Sequence, residues 1–184
     1  MDALEVLLSR NSAPKLTEPA PSGDALQKIF QAALRAPDHA RLTPWRNLVI
    51  EGAARDRLGE LFVQVAAAAD GTLDDEALTK IRAKPLRAPL IIVVAARLQV
   101  HPKVPEIEQY LSAGAAAHAM LLAAHAQGFA GIWRTGGMAF NRAFMTGLGL
   151  ADNEHIVGFL YLGTPEGRAK PLPQYCTEDF FESW

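Results

Sequence analysis

The 184-residue sequence has one cysteine, Cys176, so no disulfide can form within the chain and no thiolate cluster can hold a metal. Long hydrophobic runs are missing too. The longest, Ala88 to Ala96, falls far short of the roughly 20 residues that span a bilayer. Neither sign of charge dominates: 18 Lys and Arg against 20 Asp and Glu give a formal net charge of −2, which is not the footprint of a nucleic-acid-binding surface. The sequence opens with Asp2 and Glu5 rather than a basic stretch before an apolar one. These absences set the expectation of a soluble, unexported protein of a reducing cytoplasm. Local signatures are missing as well. No G-x-G-x-x-G follows a strand, and there is no Walker loop, H-E-x-x-H or G-x-S-x-G.

What is present is a globular composition, 49% hydrophobic and 21% charged. Leu4, Leu7 and Leu8 share a face of a short helix over Ala3 to Ser9. Ser22 is placed to cap a second helix carrying Leu26, Ile29, Phe30, Ala33 and Leu34, with Arg35 in its last turn and Pro37 ending it. A strand over Asn47 to Glu51, an amphipathic helix over Ala53 to Ala69 and a weaker one over Asp74 to Ala83 follow. Leu90 to Ala95 is apolar at every position, as a central strand covered on both faces should be. The longest helix is expected from Pro105 to Gly128, about 23 residues. Its small-residue middle, Ser112 to Ala117, suits the centre of the domain, of a subunit interface, or of both.

Further on, Gly131 to Arg134 reads as a short strand or loop, Asn141 can cap a helix to Gly147, and Ile156 to Leu162 is a second buried strand. After Pro165 the chain has no clear period, and an extended arm is expected. The sum is one α+β domain, residues 1–184, with helices packed about four or five strands.

Candidate chemistry lies in three loops. Arg10, Asn11 and Ser12 combine a cation, an amide and a hydroxyl able to wrap a phosphate or a polar ring edge. Arg35 to Trp45 packs two prolines, His39, Arg41 and a tryptophan into one connection, richer than a connection requires. Gly128 to Gly137 sets Trp133 and Arg134 among glycines that permit close backbone approach to a flat anionic ligand. His118 and His125, seven apart on the long helix without a neighbouring carboxylate, make a poor metal pair and read as core histidines.

These pieces stand in the order found in a known family. The run Arg10, Asn11, Ser12, then Ala36, Pro37, Pro44 and Trp45, then Gly128 to Arg134, and the closing strand Gly158 to Pro165 make the chain resemble the FMN-dependent nitroreductases, in particular the short NAD(P)H nitroreductase branch of bacteria. The resemblance covers nearly the whole chain. It implies a nitroreductase-like three-layer α+β fold, a central, mainly antiparallel sheet flanked by helices. It also implies an intertwined homodimer with two FMN molecules at the subunit interface and the C-terminal arm reaching over the partner.

Carried over residue by residue, Arg10, Asn11 and Ser12 match the first flavin-binding loop. Arg35 and His39 match a second set, donated to the flavin held mainly by the other subunit, and Trp133, Arg134 and Thr135 match the third. The end of the long helix, Ala123, Ala124, His125, Ala126, Gln127 and Gly128, lies where this branch receives the nicotinamide dinucleotide.

The chain also departs from the pattern. Asn11 stands where many members have a second basic residue, Pro14 where a basic residue follows the Ser, and Arg41, Leu42, Thr43 replace the usual N-x-Q before Pro44 and Trp45. Reduced flavin carries negative charge near N1, and Arg41 or Lys15 could supply the cation wanted there. The resemblance implies a ping-pong reaction. NAD(P)H gives hydride to flavin N5, leaves, and is replaced by a nitroaromatic or quinone-like acceptor. Other flavin chemistry on the same scaffold, such as dehydrogenation or reductive removal of a substituent, and a non-catalytic flavin-binding dimer stay open as alternatives.

Overall fold

The computed structural model describes residues 2–184. Helix α1 spans Ala3–Ser9, opened by a capping box in which the Asp2 carboxylate accepts from the Glu5 amide at 2.9 Å. Strand β1 is Leu16–Thr17, a two-residue piece the sequence pattern does not signal. Helix α2 is Gly23–Ala33, so Arg35 lies beyond the last turn expected to hold it. Ser22 takes the cap position without a side-chain bond. Strand β2 (Trp45–Glu51), helices α3 (Ala54–Ala69) and α4 (Asp75–Arg82), strand β3 (Leu90–Arg97) and helix α5 (Glu106–Ala126) follow. The last elements are β4 (Ala130–Arg134), α6 (Arg142–Gly147), capped by Asn141, and β5 (Glu154–Pro165).

β5 is the hub of a five-stranded sheet, pairing antiparallel with β1, β3 and β4, while β2 pairs antiparallel with β3 on the far side. Side chains of a strand alternate between faces, and here the alternation sorts the core into two halves. On one face Ile91, Val93, Phe159 and Tyr161 pack against Phe62 of α3 and Phe144 of α6. On the other Leu90, Ile92, Leu160 and Leu162 meet α2 and α5 through Ile29, Ala117, Met120 and Leu121. The result is the expected three layers of helix, sheet and helix. β3 is buried over seven of its eight positions, as its uniform apolarity requires.

Helix α5 turns one face to α2 and the sheet, burying Ala113, Ala116, Ala117, Met120 and Ala124. Its other face stays open: Ile107 is 61% and Leu111 65% exposed. The helix is therefore not enclosed by its own chain. His118 lies on this open side and is exposed, so it is no core histidine. After Pro165 the chain runs extended, apart from a single turn at Thr177–Asp179, with Tyr175, Phe180, Phe181 and Trp184 all exposed. Among the described residues no helix is long and apolar enough to cross a membrane.

Candidate functional site

The first loop is fastened to the sheet rather than hanging from it. Ser12 forms a parallel bridge with Gly131 of β4, and the Ala13 amide donates to the Gly131 carbonyl at 3.2 Å. This brings the loop beside the end of α5. Between them lies a cleft of about 300 Å³, walled by Asn11, Ser12, His125, Gly128 and the segment Pro165 to Lys170. Such a volume falls at the lower end of those of small-molecule sites. His125 Nε2 lies 2.9 Å from the Ser9 hydroxyl, tying the end of α5 to the end of α1. Asn11 donates to the Lys170 carbonyl at 3.0 Å while its own carbonyl oxygen accepts from the Ser12 amide at 2.8 Å. The tail is thus held across the cleft by a side chain of the first loop.

Of the segment matched to nicotinamide dinucleotide binding, His125 and Gly128 line this cleft. Ala124 is fully buried in the core, Ala126 is exposed, and Gln127 donates to the carbonyls of Ala25 and Ala123. Arg10 caps α1 at the edge of the loop, half-buried and outside the cleft wall.

Farther along β4 the strand alternation turns the side chains of Trp133 and Arg134 to opposite faces. Trp133 pairs with Leu160 and turns its indole to the α5 side, where Nε1 donates to the Val157 carbonyl at 3.3 Å. Arg134 pairs with Phe159 and points to the opposite face. A second cavity of about 420 Å³ is nevertheless lined by all three of Trp133, Arg134 and Thr135, with Lys84, Arg87, Gly136 and Tyr161. The Arg134 guanidinium lies 5.6 Å from the centre of the Tyr161 ring, and its Nε is buried without a hydrogen-bond partner among the described residues. Burial pushes the Tyr161 phenol above its usual range, an effect the Arg134 and Arg87 charges oppose.

The second set stands apart from both. His39 Nδ1 lies 2.6 Å from a Glu108 carboxylate oxygen at an exposed groove beside α5, and Arg35 is exposed on the turn after α2. The loop around His39 is unusual in backbone. Ala40, Arg41 and Thr43 all have positive φ, at 60°, 55° and 47°, sparsely populated values for non-glycine residues. The Asp38 carboxylate holds the bend by accepting from the amides of Leu42 and Thr43, at 3.1 and 2.7 Å. Non-glycine strain of this sort concentrates at functional loops.

The chain therefore brings Asn11, Ser12, His125 and Gly128 together, joins Trp133, Arg134 and Thr135 at a neighbouring cavity, and leaves Arg35 and His39 elsewhere. Sequence reasoning missed Arg168 and Lys170 in the first wall and Lys84, Arg87 and Tyr161 in the second. The signal for the first pair was two basic residues just after a closing strand. Tyr161 was legible only as one more apolar position.

The donor chemistry fits an anionic, partly flat cofactor. The cleft offers an amide, hydroxyls and the neighbouring Lys170 and Arg168, and the cavity offers cations beside apolar Phe62, Ile132 and Met138.

Comparison with known proteins agrees with this architecture. The model of the nitroreductase family matches residues 7–164. The chain is 50% identical over 169 residues to "Putative NAD(P)H nitroreductase YdjA" of Escherichia coli strain K12, covering 92% of this chain and 91% of that protein. It is 38% identical over 171 residues to a "Putative NAD(P)H nitroreductase" of Haemophilus influenzae, covering 92% of each. The crystal structure of a nitroreductase-like family protein from Bacillus cereus superposes with a TM-score of 0.82 at 24% identity, covering 100% of this chain and 96% of the other.

Proposed function

The chain belongs to the nitroreductase family, and on that premise we propose that it is an FMN-dependent enzyme that oxidises NAD(P)H and reduces a nitroaromatic or quinone-like acceptor. Its membership makes it an oxidoreductase. The observation that carries the finer reading is the cleft that Asn11 and Ser12 share with His125 and Gly128. Two segments more than a hundred residues apart, one matched to flavin and one to the dinucleotide, face the same space.

The chemistry FMN supplies when bound is hydride acceptance at N5 from NAD(P)H and delivery of the electrons to a second substrate, in ping-pong order. The chain's own residues bind and orient. Asn11, Ser12, Arg168 and Lys170 in the cleft wall, with Arg10 at the edge of the same loop, would offer charge-assisted hydrogen bonds to a phosphate. Arg134 and Thr135 present polar groups to the ring, while Trp133 stiffens the strand beneath them. His125 and Gly128 mark the approach of the dinucleotide. Phe62, Met138 and Phe159 supply apolar surface against which water is excluded.

The working unit in this reading is a homodimer of one-domain chains, residues 1–184, with FMN at the interface and Arg35 and His39 serving the partner's flavin. Ile107 and Leu111 on the open face of α5, and the aromatic residues of the tail, are the apolar surfaces it would cover. FMN titration tests the assignment. Arg10→Ala and Arg134→Ala should each weaken FMN roughly tenfold to a hundredfold, the worth of about 1.5–3 kcal/mol for a hydrogen bond to a charged group. Two folded variants with wild-type FMN affinity would refute it.

A further inference from the structure

Lys84, Arg87 and Arg134 stand around one cavity whose walls hold no carboxylate. Lys84 and Arg87 come from the 3-10 turn between α4 and β3, and Arg134 from the last position of β4. Nearby cations are treated differently: Lys80 pairs with Glu76 and Arg82 with Glu60. Among the described residues none of the three cavity cations has an acidic partner. Like charges gathered on a concave wall repel one another and create a field that an anion relieves. Arg134 makes the case sharper, because its buried Nε has no acceptor among the described residues and such a donor is costly to leave unmet. The remaining wall is apolar, with Phe62, Ile132, Met138 and Phe159. A fitting occupant is apolar over its body and presents acceptor atoms and negative charge along one edge.

We propose that Arg134, Arg87 and Lys84, with the Tyr161 hydroxyl, hold the pyrimidine edge of FMN and bind the ring more tightly once reduction has placed negative charge near N1. This rests on the flavin reading above and gives the charge a source other than Arg41 or Lys15. Neither of those lines the cavity. Arg41 sits on the strained loop after α2, and Lys15 is exposed beside β1, its carbonyl accepting from the Glu166 amide. The three cations belong to the chain itself, on the turn before β3 and at the end of β4, and positive charge already gathered there favours the state in which negative charge develops. Burial keeps the Tyr161 phenol protonated at neutral pH, so its hydroxyl is available as a donor.

The test compares FMN-loaded wild-type protein with Arg87→Gln, Arg134→Gln and Arg87→Lys. Three quantities are measured: the dissociation constant for oxidised FMN, the two-electron potential, and the reduced-flavin spectrum across pH. Each Gln variant should lower the preference for reduced over oxidised FMN at least tenfold, a fall in potential of about 30 mV for a two-electron couple. The change from anionic to neutral reduced-flavin spectrum should also occur at higher pH than in the wild type. Arg87→Lys, which keeps the charge, should retain most of the wild-type potential. Arg87 is exposed, so its Gln variant decides the matter if Arg134→Gln does not fold. Unchanged potential and spectrum in a folded, FMN-loaded Arg87→Gln protein would overturn this proposal and leave the flavin reading standing. A wild-type protein that takes up no FMN would overturn both.

Discussion

The Ala13 amide donates to the Gly131 carbonyl at 3.2 Å, and through this bond the loop after α1 becomes an extension of the sheet beside β4. The consequence is positional. Ala130, at one end of β4, lines the cleft shared with Asn11 and His125, while Arg134, at the other end, lines the cationic cavity. A five-residue strand thus carries both halves of the candidate site on one rigid element.

Trp133 depends on a glycine across the sheet. A methyl group added at Gly158 would fall 2.0 Å from the indole Nε1 and 2.6 Å from Cδ1, inside the packed layer under α5. Gly158→Ala should therefore destabilise the protein by about 1–3 kcal/mol, the usual cost of overpacking, in urea denaturation. Adding Trp133→Leu to that variant should recover part of the loss. A double variant no better than the single one would show that the two side chains do not compete for the same space.

The hold of Asn11 on the tail is open to direct measurement. Its side chain donates to the Lys170 carbonyl at 3.0 Å, and the bond after Arg168, next to the cleft, is a trypsin site, whereas Pro171 protects the bond after Lys170. Asn11→Ala should speed cleavage there several-fold while leaving the rest of the chain resistant. Equal rates in both proteins would mean that the tail is fixed by other contacts.

Glu154 links stability to acid pH. Burial alone would raise its carboxyl, but the Ala151 amide at 3.0 Å and Arg46 at 2.7 Å outweigh that and hold it below the usual glutamate range. A lowered native value contributes stability that is complete above the unfolded value, near 4.3, and is lost as pH falls through the native one. Glu154→Gln should thus cost about 2 kcal/mol at neutral pH and progressively less below pH ~4. A difference that stays constant from neutral to acid pH would show that the carboxylate charge is not what matters.

Most elements were legible because their signals are local. The uniform apolarity of Leu90 to Ala95, the amphipathic period of Ala54–Ala69 and the Asn141 cap each specify their element without help from distant residues. β1 was not, since two residues paired with Thr164 and Pro165 exist only through a partner far along the chain. The site divides in the same way. Asn11 and Ser12 carry their chemistry in their own residue types, and the family order points to them. Lys84 and Arg87 gain meaning only when α4 and β3 set them beside β4, and Tyr161 only when strand alternation turns it toward Arg134 rather than the α5 side. Trp133 and Arg134, adjacent in sequence, were read together, and both line the cationic cavity although alternation turns the indole toward the α5 side.

The central claim is that this chain holds FMN where NAD(P)H can reduce it. The direct measurement is the visible spectrum of the FMN-loaded protein, recorded without oxygen before and after NADH or NADPH is added. The account predicts a yellow protein that bleaches with at least one of the two nucleotides and regains its colour when a nitroaromatic or quinone is supplied. A protein that takes up no FMN, or whose bound FMN keeps its colour with both nucleotides, would contradict it.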